Sequence, residues 1–344
     1  MTPRVAAAPV SYGVFEITVD QPDLPDGPAL VEAMADAGYA GTELGPPGFF
    51  GRGREVGALL ADHDLQLVGS FLPLRFSRDE GFAEDMLELD GTLGMLTEAS
   101  EGRERPIVLL SDAFCEPDRM RYAGAIEAHP ETWLGERRRQ LLFDNAHRAA
   151  ERCHERGFRA SFHPHAGTYI ETPREVDALL EHMDTSLLGL CFDTGHCAFG
   201  GGDPLALLRQ ASELVNHVHF KDVDLEIQAR LHREGKGLEE AWAAGVFCEL
   251  GTGGAHVEEC LQHMLASGYD GWIVSSRTAC SRPACPSTAC SKPPSTTASG
   301  CGSAGSNASC RLPCPTRGLT PSWAAALTFE RSDGYRYVRN ARLA

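Results

Sequence analysis

The sequence concentrates histidine, lysine and acidic residues where predicted strands end, and one strand carries them at regular spacing. Residues 216–222 read Asn-His-Val-His-Phe-Lys-Asp. Because successive side chains of a strand point to opposite faces, His217, His219 and Lys221 share one face. Barrels of parallel strands ordinarily fill their inner face with branched aliphatic residues, so this polar face indicates a functional site.

Two further predicted strands end in the same residue types. One runs into His163 and His165, and the next ends at Asp193, with His196 three residues later. A single histidine of this kind is more often structural than functional, but repetition at consecutive strand ends indicates a shared site. Mixed imidazole and carboxylate ligands suit a divalent metal ion, and we expect Mn²⁺ or Co²⁺ as the cofactor.

Such an ion would support carbonyl chemistry on a sugar. Bound beside a ketone and a hydroxyl group, it polarises the carbonyl and stabilises an enediolate. A neighbouring base then removes the proton from the carbon next to the carbonyl, and glutamate, histidine and lysine can all act as that base. The first two predicted strands end near Glu16 and at Glu43, which adds two carboxylates to the candidate residues.

Side chains from distant segments meet at one site only if the fold brings strand ends together. Eight short β-rich runs are predicted as strands, at 10–16, 41–44, 67–72, 107–111, 159–163, 188–193, 215–220 and 272–274. Helices are predicted between and after them, at 28–37, 54–63, 81–100, 135–156, 173–182, 204–211, 238–243 and 257–266. This alternation predicts an α/β fold, a (β/α)₈ TIM barrel over residues 8–274. A doubly wound sheet is the alternative, but no glycine-rich phosphate loop follows the first strand.

Composition and charge narrow the range of partners. The 344-residue chain is 42% hydrophobic and carries 48 acidic against 31 basic residues, for a net charge of −17. That charge disfavours nucleic acid and anionic membranes, since both are bound through clustered lysine and arginine. No apolar run approaches the roughly 20 residues of a membrane span, and residues 1–10 do not form a signal peptide. We therefore expect a cytoplasmic protein acting on a small polyol or keto-sugar, alone or as a homo-oligomer.

Several segments resemble the sugar phosphate isomerase/epimerase superfamily, the xylose-isomerase-like TIM barrels, and within it the inosose dehydratases. The resemblance covers about residues 10–274. Its most specific segments are Gly-Thr-Glu-Leu-Gly-Pro-Pro-Gly at 41–48 and His-Val-His-Phe-Lys-Asp at 217–222. The Asp-Thr-Gly-His turn at 193–196 is shared more widely, and Phe-His-Pro-His-Ala-Gly-Thr at 162–168 also matches.

The resemblance implies a role for each candidate residue. The expected metal ligands are Asp193, His219 and His163, the expected catalytic residues are His196, Lys221 and Glu43, and the expected substrate-binding residues are His165 and Glu16. His163 stands where many relatives carry a ligating glutamate. The implied reaction is metal-dependent dehydration of a keto-inositol, in which a proton is removed next to the ketone and a β-hydroxyl leaves. A sugar or sugar phosphate isomerase or epimerase is the alternative, because both reactions begin with the same proton abstraction.

The chain departs from the superfamily at its eighth strand, which should end in a ligating or catalytic glutamate. Here residues 272–274 are followed by Ser-Ser-Arg-Thr, and then by a serine-, proline-, alanine- and cysteine-rich tail over 275–344. We hypothesise that this tail is out of frame. Residues 274–278 can be encoded by GTC TCG AGC AGG ACC, one choice among their synonymous codons, and a shifted frame of those bases contains Leu-Glu-Gln-Asp.

Two other interpretations of the tail remain. One is a genuine disordered extension, since the composition cannot build a packed core. The other is a cysteine metal site, although the six cysteines between 280 and 314 contain no Cys-x₂-Cys pair. Without the eighth-strand acid, a catalytically impaired sugar-binding relative also stays open as a function.

Overall fold

Eight parallel strands form a closed barrel in the computed structural model. The structure describes residues 3–15, 18–19, 21–22, 24–114 and 116–276, together with the backbone of two strands in the tail. The barrel strands are β1 (Arg4–Ala7), β2 (Gly41–Glu43), β3 (Gln66–Leu74), β4 (Ile107–Asp112), β5 (Ala160–Phe162), β6 (Leu188–Asp193), β7 (Val215–Phe220) and β10 (Trp272–Ser275). Their order around the barrel is β1-β10-β7-β6-β5-β4-β3-β2, which confirms the predicted TIM barrel.

Helices connect the strands and cover the outside of the barrel. They are α1 (Gly27–Asp36), α2 (Arg54–Ala61), α3 (Phe82–Ala99), α4 (Pro117–Tyr122), α5 (Glu136–Glu155), α6 (Pro173–His182), α7 (Thr194–Phe199), α8 (Pro204–Ala211), α9 (Leu225–Arg233), α10 (Leu238–Ala244) and α11 (Val257–Ser267). In the part of the chain that the structure describes, no helix has both the length and the apolar character needed to cross a membrane.

Two short antiparallel strand pairs lie outside the barrel wall. β8 (Asp222–Val223) follows β7 directly and pairs with β9 (Phe247–Cys248). In the tail, β11 (Leu327–Ser332) pairs with β12 (Tyr335–Asn340). The rest of the tail beyond residue 276 lies outside the described residues, and the hypothesis of a shifted reading frame stays a prediction.

The predicted first strand at 10–16 is wrong. Its beginning forms a 3₁₀ helix, Pro9–Tyr12, which ends at Gly13 with a left-handed φ of 82°. The real first strand is the alanine-rich β1, which pairs with β10 and β2. Small side chains are needed there, because Ala6 packs inside the barrel against Trp272 and Val274. Low intrinsic strand propensity is overridden by this packing requirement.

Side-chain caps fix where several helices begin. At α6, the Thr172 hydroxyl accepts a hydrogen bond from the Glu175 amide, and the Glu175 carboxylate accepts one from the Thr172 amide. Pro173 occupies the first helical position, where no amide hydrogen is needed. Asp203 and Asp224 cap α8 and α9 in the same way, each accepting two amide hydrogen bonds. These caps set where the loops that precede the helices end.

The apolar core lies mainly between the strands and the surrounding helices. Val108, Leu110 and Phe162 point outward from β4 and β5 into the largest buried cluster, which includes Leu142 from α5. Phe162 is fully buried, with its ring centroid 6.1 Å from that of Phe76. His163 follows Phe162 in the chain and points to the opposite face, into the lumen. The packing of Phe162 on the outer face therefore helps to fix the position of His163.

We expect Phe162→Ala to lower the free energy of unfolding by about 3–5 kcal/mol, because it leaves a large cavity in this core. Urea denaturation followed by circular dichroism measures the change. Leu87→Ala is the control, because Leu87 is 73% exposed, and it should change stability by less than about 0.5 kcal/mol. Equal effects of the two substitutions would contradict this description of the core.

Candidate active site

Seven buried ionisable side chains converge in the lumen toward the carboxyl ends of the strands. They are Glu43 from β2, His163 after β5, Asp193 from β6, His196 from α7, and His217, His219 and Lys221 from β7 and its end. The structure therefore brings together all of the predicted metal ligands and catalytic residues. Glu16 lies outside the described residues, so its predicted contact with substrate stays a prediction.

Asp193 is the centre of the cluster. Its Oδ2 lies 2.7 Å from the Lys221 Nζ, 3.3 Å from the His163 Nε2 and 3.4 Å from the His219 Nδ1. Its Oδ1 accepts a hydrogen bond from the His196 amide at 2.9 Å, which makes Asp193 the cap of α7. Burial would raise the pKa of this carboxyl group, but the Lys221 ammonium and the neighbouring imidazoles hold it well below its usual range. Asp193 is thus an ionised carboxylate inside the barrel.

Glu43 forms a second polar contact across the lumen. Its Oε1 lies 2.7 Å from the His219 Nε2 and 2.9 Å from the His217 Nε2. Burial lowers the pKa of His219, but the carboxylates of Glu43 and Asp193 outweigh it, and the net shift is upward. For His217 burial prevails and the pKa is lowered. His219 therefore stands between two carboxylates, with one ring nitrogen directed at each.

The donor atoms fit a divalent metal ion. Among the described residues, the buried Nδ1 atoms of His163 and His219 have no hydrogen-bond partner. One ligand atom from each of His163, Asp193 and His196 lies within 4.8 Å of the other two. The 3.4 Å between His219 Nδ1 and Asp193 Oδ2 also matches the separation of roughly 3.4 Å expected for two tetrahedral ligands with bonds of about 2.1 Å. Imidazole and carboxylate together suit the transition metals that we predicted.

The eighth strand contributes hydroxyl groups where an acid is expected. β10 ends at Ser275, and Ser276 follows it with only 2% of its surface exposed. Val274 pairs with His219 in the β10–β7 register, and the Ser276 amide donates to the Phe220 carbonyl. Trp272 and Val274 face the lumen, so alternation along the strand directs Ser276 into the lumen as well. Ser276 thus follows β10 directly, beside the end of β7 that carries Lys221.

His165 and His196 form one wall of the site. Their ring centroids are 3.6 Å apart, and Phe114 packs edge-on against His165 at 4.9 Å. The His196 Nε2 lies 3.1 Å from the Lys221 Nζ. Burial, with the neighbouring imidazoles and ammonium, lowers the pKa of both His165 and His196 well below the usual range. Both are therefore neutral imidazoles near pH 7.

Phe71, Phe114 and His217 were missing from the predicted site residues. Phe71 packs edge-on against His163, with 5.5 Å between the ring centroids. The alternation of side chains along β3 could have indicated the position of Phe71. Residues two apart on a strand share a face, and Gly69 lies against Glu43 in the lumen. His217 was placed on the polar face of its strand but was given no role. Nothing in the local sequence near Phe114 indicates its contact with His165.

A buried ion pair holds the loop that carries His165. Arg119 from α4 is 1% exposed and donates to the Thr168 carbonyl at 2.8 Å and to the Glu175 carboxylate at 2.9 Å. Glu171 accepts hydrogen bonds from backbone amides on both sides of the loop, and burial raises its pKa to about 7. Breaking the Arg119–Glu175 pair would leave an uncompensated buried charge, which is energetically costly. The pair therefore resists movement of the loop that it holds.

Known proteins are similar to this chain in sequence and in fold. A family model described as a xylose isomerase-like TIM barrel matches residues 31–296. The inosose dehydratase of Geobacillus kaustophilus is 29% identical over 280 residues, covering 79% of this chain and 86% of that protein. The rhizopine catabolism protein MocC of Rhizobium meliloti is 33% identical over 281 residues, covering 80% and 81%. The solved D-allulose 3-epimerase of Methylomonas sp. is similar in fold, with a TM-score of 0.55 and 14% identity over 80% of this chain and 85% of that one.

The buried imidazoles contribute to the pH dependence of stability. Burial lowers the pKa of His163 from 6.5 to about 4, and the pKa values of His165, His196 and His217 are lowered too. Between about pH 6.5 and pH 4, these histidines bind protons in the unfolded chain but not in the folded chain. They therefore lower the free energy of unfolding as the pH falls through this range. His163 alone contributes on the order of 3 kcal/mol to this loss. His219, Glu171 and Asp112 act in the opposite direction, because the pKa of each is raised in the folded chain.

Urea midpoints measured between about pH 7 and pH 5 test this expectation. We expect the difference in midpoint between the wild-type chain and His163→Asn to narrow as the pH falls, because only the wild-type chain loses the contribution of a neutral, buried His163. His154→Asn is the control, because His154 lies on the exposed face of α5 and should leave the pH dependence of the midpoint unchanged. A difference between the wild-type chain and His163→Asn that stays constant over this range would contradict the burial of His163 in neutral form.

Proposed function

The chain belongs to the xylose isomerase-like TIM barrel family, and we propose that it dehydrates a keto-inositol with the help of a bound divalent metal ion. The observation that carries the proposal is the approach of Asp193 Oδ2 and His219 Nδ1 to 3.4 Å inside the barrel. The substrate class comes from relatives, since the Geobacillus kaustophilus protein is an inosose dehydratase that matches most of the chain.

Asp193, His219 and His163 would hold the ion, and its charge would polarise the ketone of a bound substrate. His196 is the proposed base, because a neutral imidazole can take the proton from the carbon next to the ketone. Lys221 is the proposed acid, and its ammonium gives a proton to the departing β-hydroxyl, which leaves as water. The two groups lie 3.1 Å apart, so both reach one bound ring.

The other site residues bind and orient the substrate in this proposal. His165 presents an imidazole edge beside the aromatic rings of Phe71 and Phe114. Such rings can pack against the C–H face of a polyol ring, while the imidazoles bond its hydroxyl groups. Burial of the whole cluster excludes bulk water, which strengthens each electrostatic contact in the site. Glu43 lies deeper in the lumen, beneath His219, and its role is treated separately below.

Incubation with 2-keto-myo-inositol and Mn²⁺ or Co²⁺ tests the reaction directly. We expect the absorbance of the diketone product to appear, and Asp193→Asn to lower kcat/KM by at least about 100-fold through loss of an ion ligand. Asparagine can still cap α7, so the variant should keep its fold. Absence of the chromophore with metal present, together with epimerisation of a ketose, would favour the epimerase alternative.

Ser276→Glu should strengthen metal binding, because it places a carboxylate in the lumen just after β10, beside the end of β7 that carries Lys221. We expect the dissociation constant for Mn²⁺ to fall by about 10- to 100-fold, measured by isothermal titration calorimetry.

Ser275→Glu is the matched control for this gain. Ser275 points to the other face of β10, where its side chain hydrogen-bonds Tyr39. A carboxylate there should leave the affinity for Mn²⁺ unchanged. Equal affinities of the folded Ser276→Glu variant and the wild-type chain would contradict the assignment of the ion to this part of the lumen.

A further inference from the structure

Glu43 reaches across the barrel from β2 to β7. The register of β2 against β3 shifts between Thr42 and Glu43, which turns the end of the strand. Gly69 on β3 leaves the room, since a Cβ atom there would lie 3.1 Å from the Glu43 Oε1. The register shift in β2 and the small Gly69 in β3 together make room for the Glu43 carboxylate beside His219. Only 5% of the Glu43 surface is exposed.

The contacts of this carboxylate are directional. One oxygen, the Glu43 Oε1, lies within hydrogen-bond distance of two imidazole nitrogens, and a carboxylic O–H could donate to only one of them. An ionised carboxylate can only accept hydrogen bonds. The contacts of 2.7 Å and 2.9 Å to His219 and His217 therefore require a proton on each Nε2 atom.

A proton on Nε2 fixes the other ring nitrogen of a neutral imidazole. The Nδ1 of His219 then carries a lone pair, and this atom is buried without a hydrogen-bond partner among the described residues. It faces the Asp193 Oδ2 at 3.4 Å, so two electron-rich atoms point at the same space. Such an arrangement is stable only with a proton or a cation between them.

We propose that Glu43 is a positioning residue that fixes the proton of His219 on Nε2 and thereby presents the Nδ1 lone pair to the space beside Asp193. His217 steadies the same oxygen from the other side. The use of that lone pair as a metal ligand rests on the proposed function, whereas the position of the proton does not. Glu43 was expected to be catalytic, and this geometry gives it an indirect role, beneath the residue that binds.

Carboxylate partners of this kind orient ligating histidines in many metal sites and typically contribute 10- to 100-fold in affinity. The competing arrangement is a second ion held by Glu43, His217 and His219 themselves, whose ligand atoms form a group within 4.8 Å. The two short contacts favour hydrogen bonds over ligation, because ligand atoms around one ion lie farther apart, at roughly 3 Å or more.

Imidazole nitrogen NMR of the metal-free chain tests the position of the proton. Spectra are recorded at a pH above the titration of His219, with the signals assigned through His219→Asn and His217→Asn. We expect the wild-type His219 to carry its proton on Nε2, and Glu43→Gln to yield a mixture of the two tautomers. A wild-type His219 protonated on Nδ1, or an unchanged spectrum in Glu43→Gln, would overturn the proposal.

Zn²⁺ binding gives the second measurement. We expect Glu43→Gln to weaken the dissociation constant by about 10- to 100-fold, while one ion per chain still binds. Asp85→Asn is the matched control, because Asp85 is also a buried carboxylate with a charged partner, Arg75, but lies on α3 outside the lumen. It should lower stability and leave both the His219 signals and the Zn²⁺ affinity unchanged.

The outcomes separate this proposal from the function. A wild-type chain with two bound Zn²⁺ ions, one of which is lost in Glu43→Gln, would show a second ion site and overturn the positioning role. A wild-type chain that binds no Zn²⁺ and turns over no keto-inositol would contradict the proposed function alone, since the NMR result on the metal-free chain would still decide the role of Glu43.

Discussion

The structure depends on the burial of one ionised carboxylate, Asp193, inside the barrel. An unpaired carboxylate in that environment would be strongly destabilising. Three nitrogen-bearing groups therefore surround it: the Lys221 ammonium and the imidazoles of His163 and His219. Each of these groups is held in turn by another, which explains why polar side chains fill a region that most barrels fill with aliphatic residues.

The two ends of the lumen have different chemistry. Small and aromatic apolar residues close the barrel beside β1 and β10, where Ala6 and Ala8 pack against Trp272. The polar cluster lies toward the carboxyl ends of the strands, where the connecting loops can reach it. A firm apolar base and capped helices keep the strand ends in place, and that rigidity lets groups from four strands, β2, β5, β6 and β7, meet within hydrogen-bonding distance. The charged and polar side chains are thus already oriented, before any substrate binds, toward the space that a substrate would occupy.

The sequence allowed much of the barrel to be predicted, because β6, β7 and α6 carry strong local patterns. The alternation at 215–220 identified the polar face of β7, and the Thr172 cap with Pro173 identified the start of α6. β1 was misplaced because its alanines serve packing across the lumen, which no local pattern records. The short helix α7 was also missed, since its cap, Asp193, was interpreted only as a ligand.

The links between distant residues could not be predicted. Glu43 and His219 are 176 positions apart, and the space for their contact depends on Gly69 in a third strand. The support of the His165 loop by Arg119 is equally non-local, because it joins α4 to α6. Residue types and spacing identified which side chains can do chemistry, whereas only the closed barrel shows which atoms of those side chains face one another.

The most direct test of this account is the anomalous X-ray signal of Mn²⁺ in crystals of the wild-type chain. The account requires one peak in the lumen, within about 2.2 Å of both the Asp193 Oδ2 and the His219 Nδ1. A lumen without a peak at saturating Mn²⁺, with the Lys221 ammonium still bound to Asp193, would contradict it.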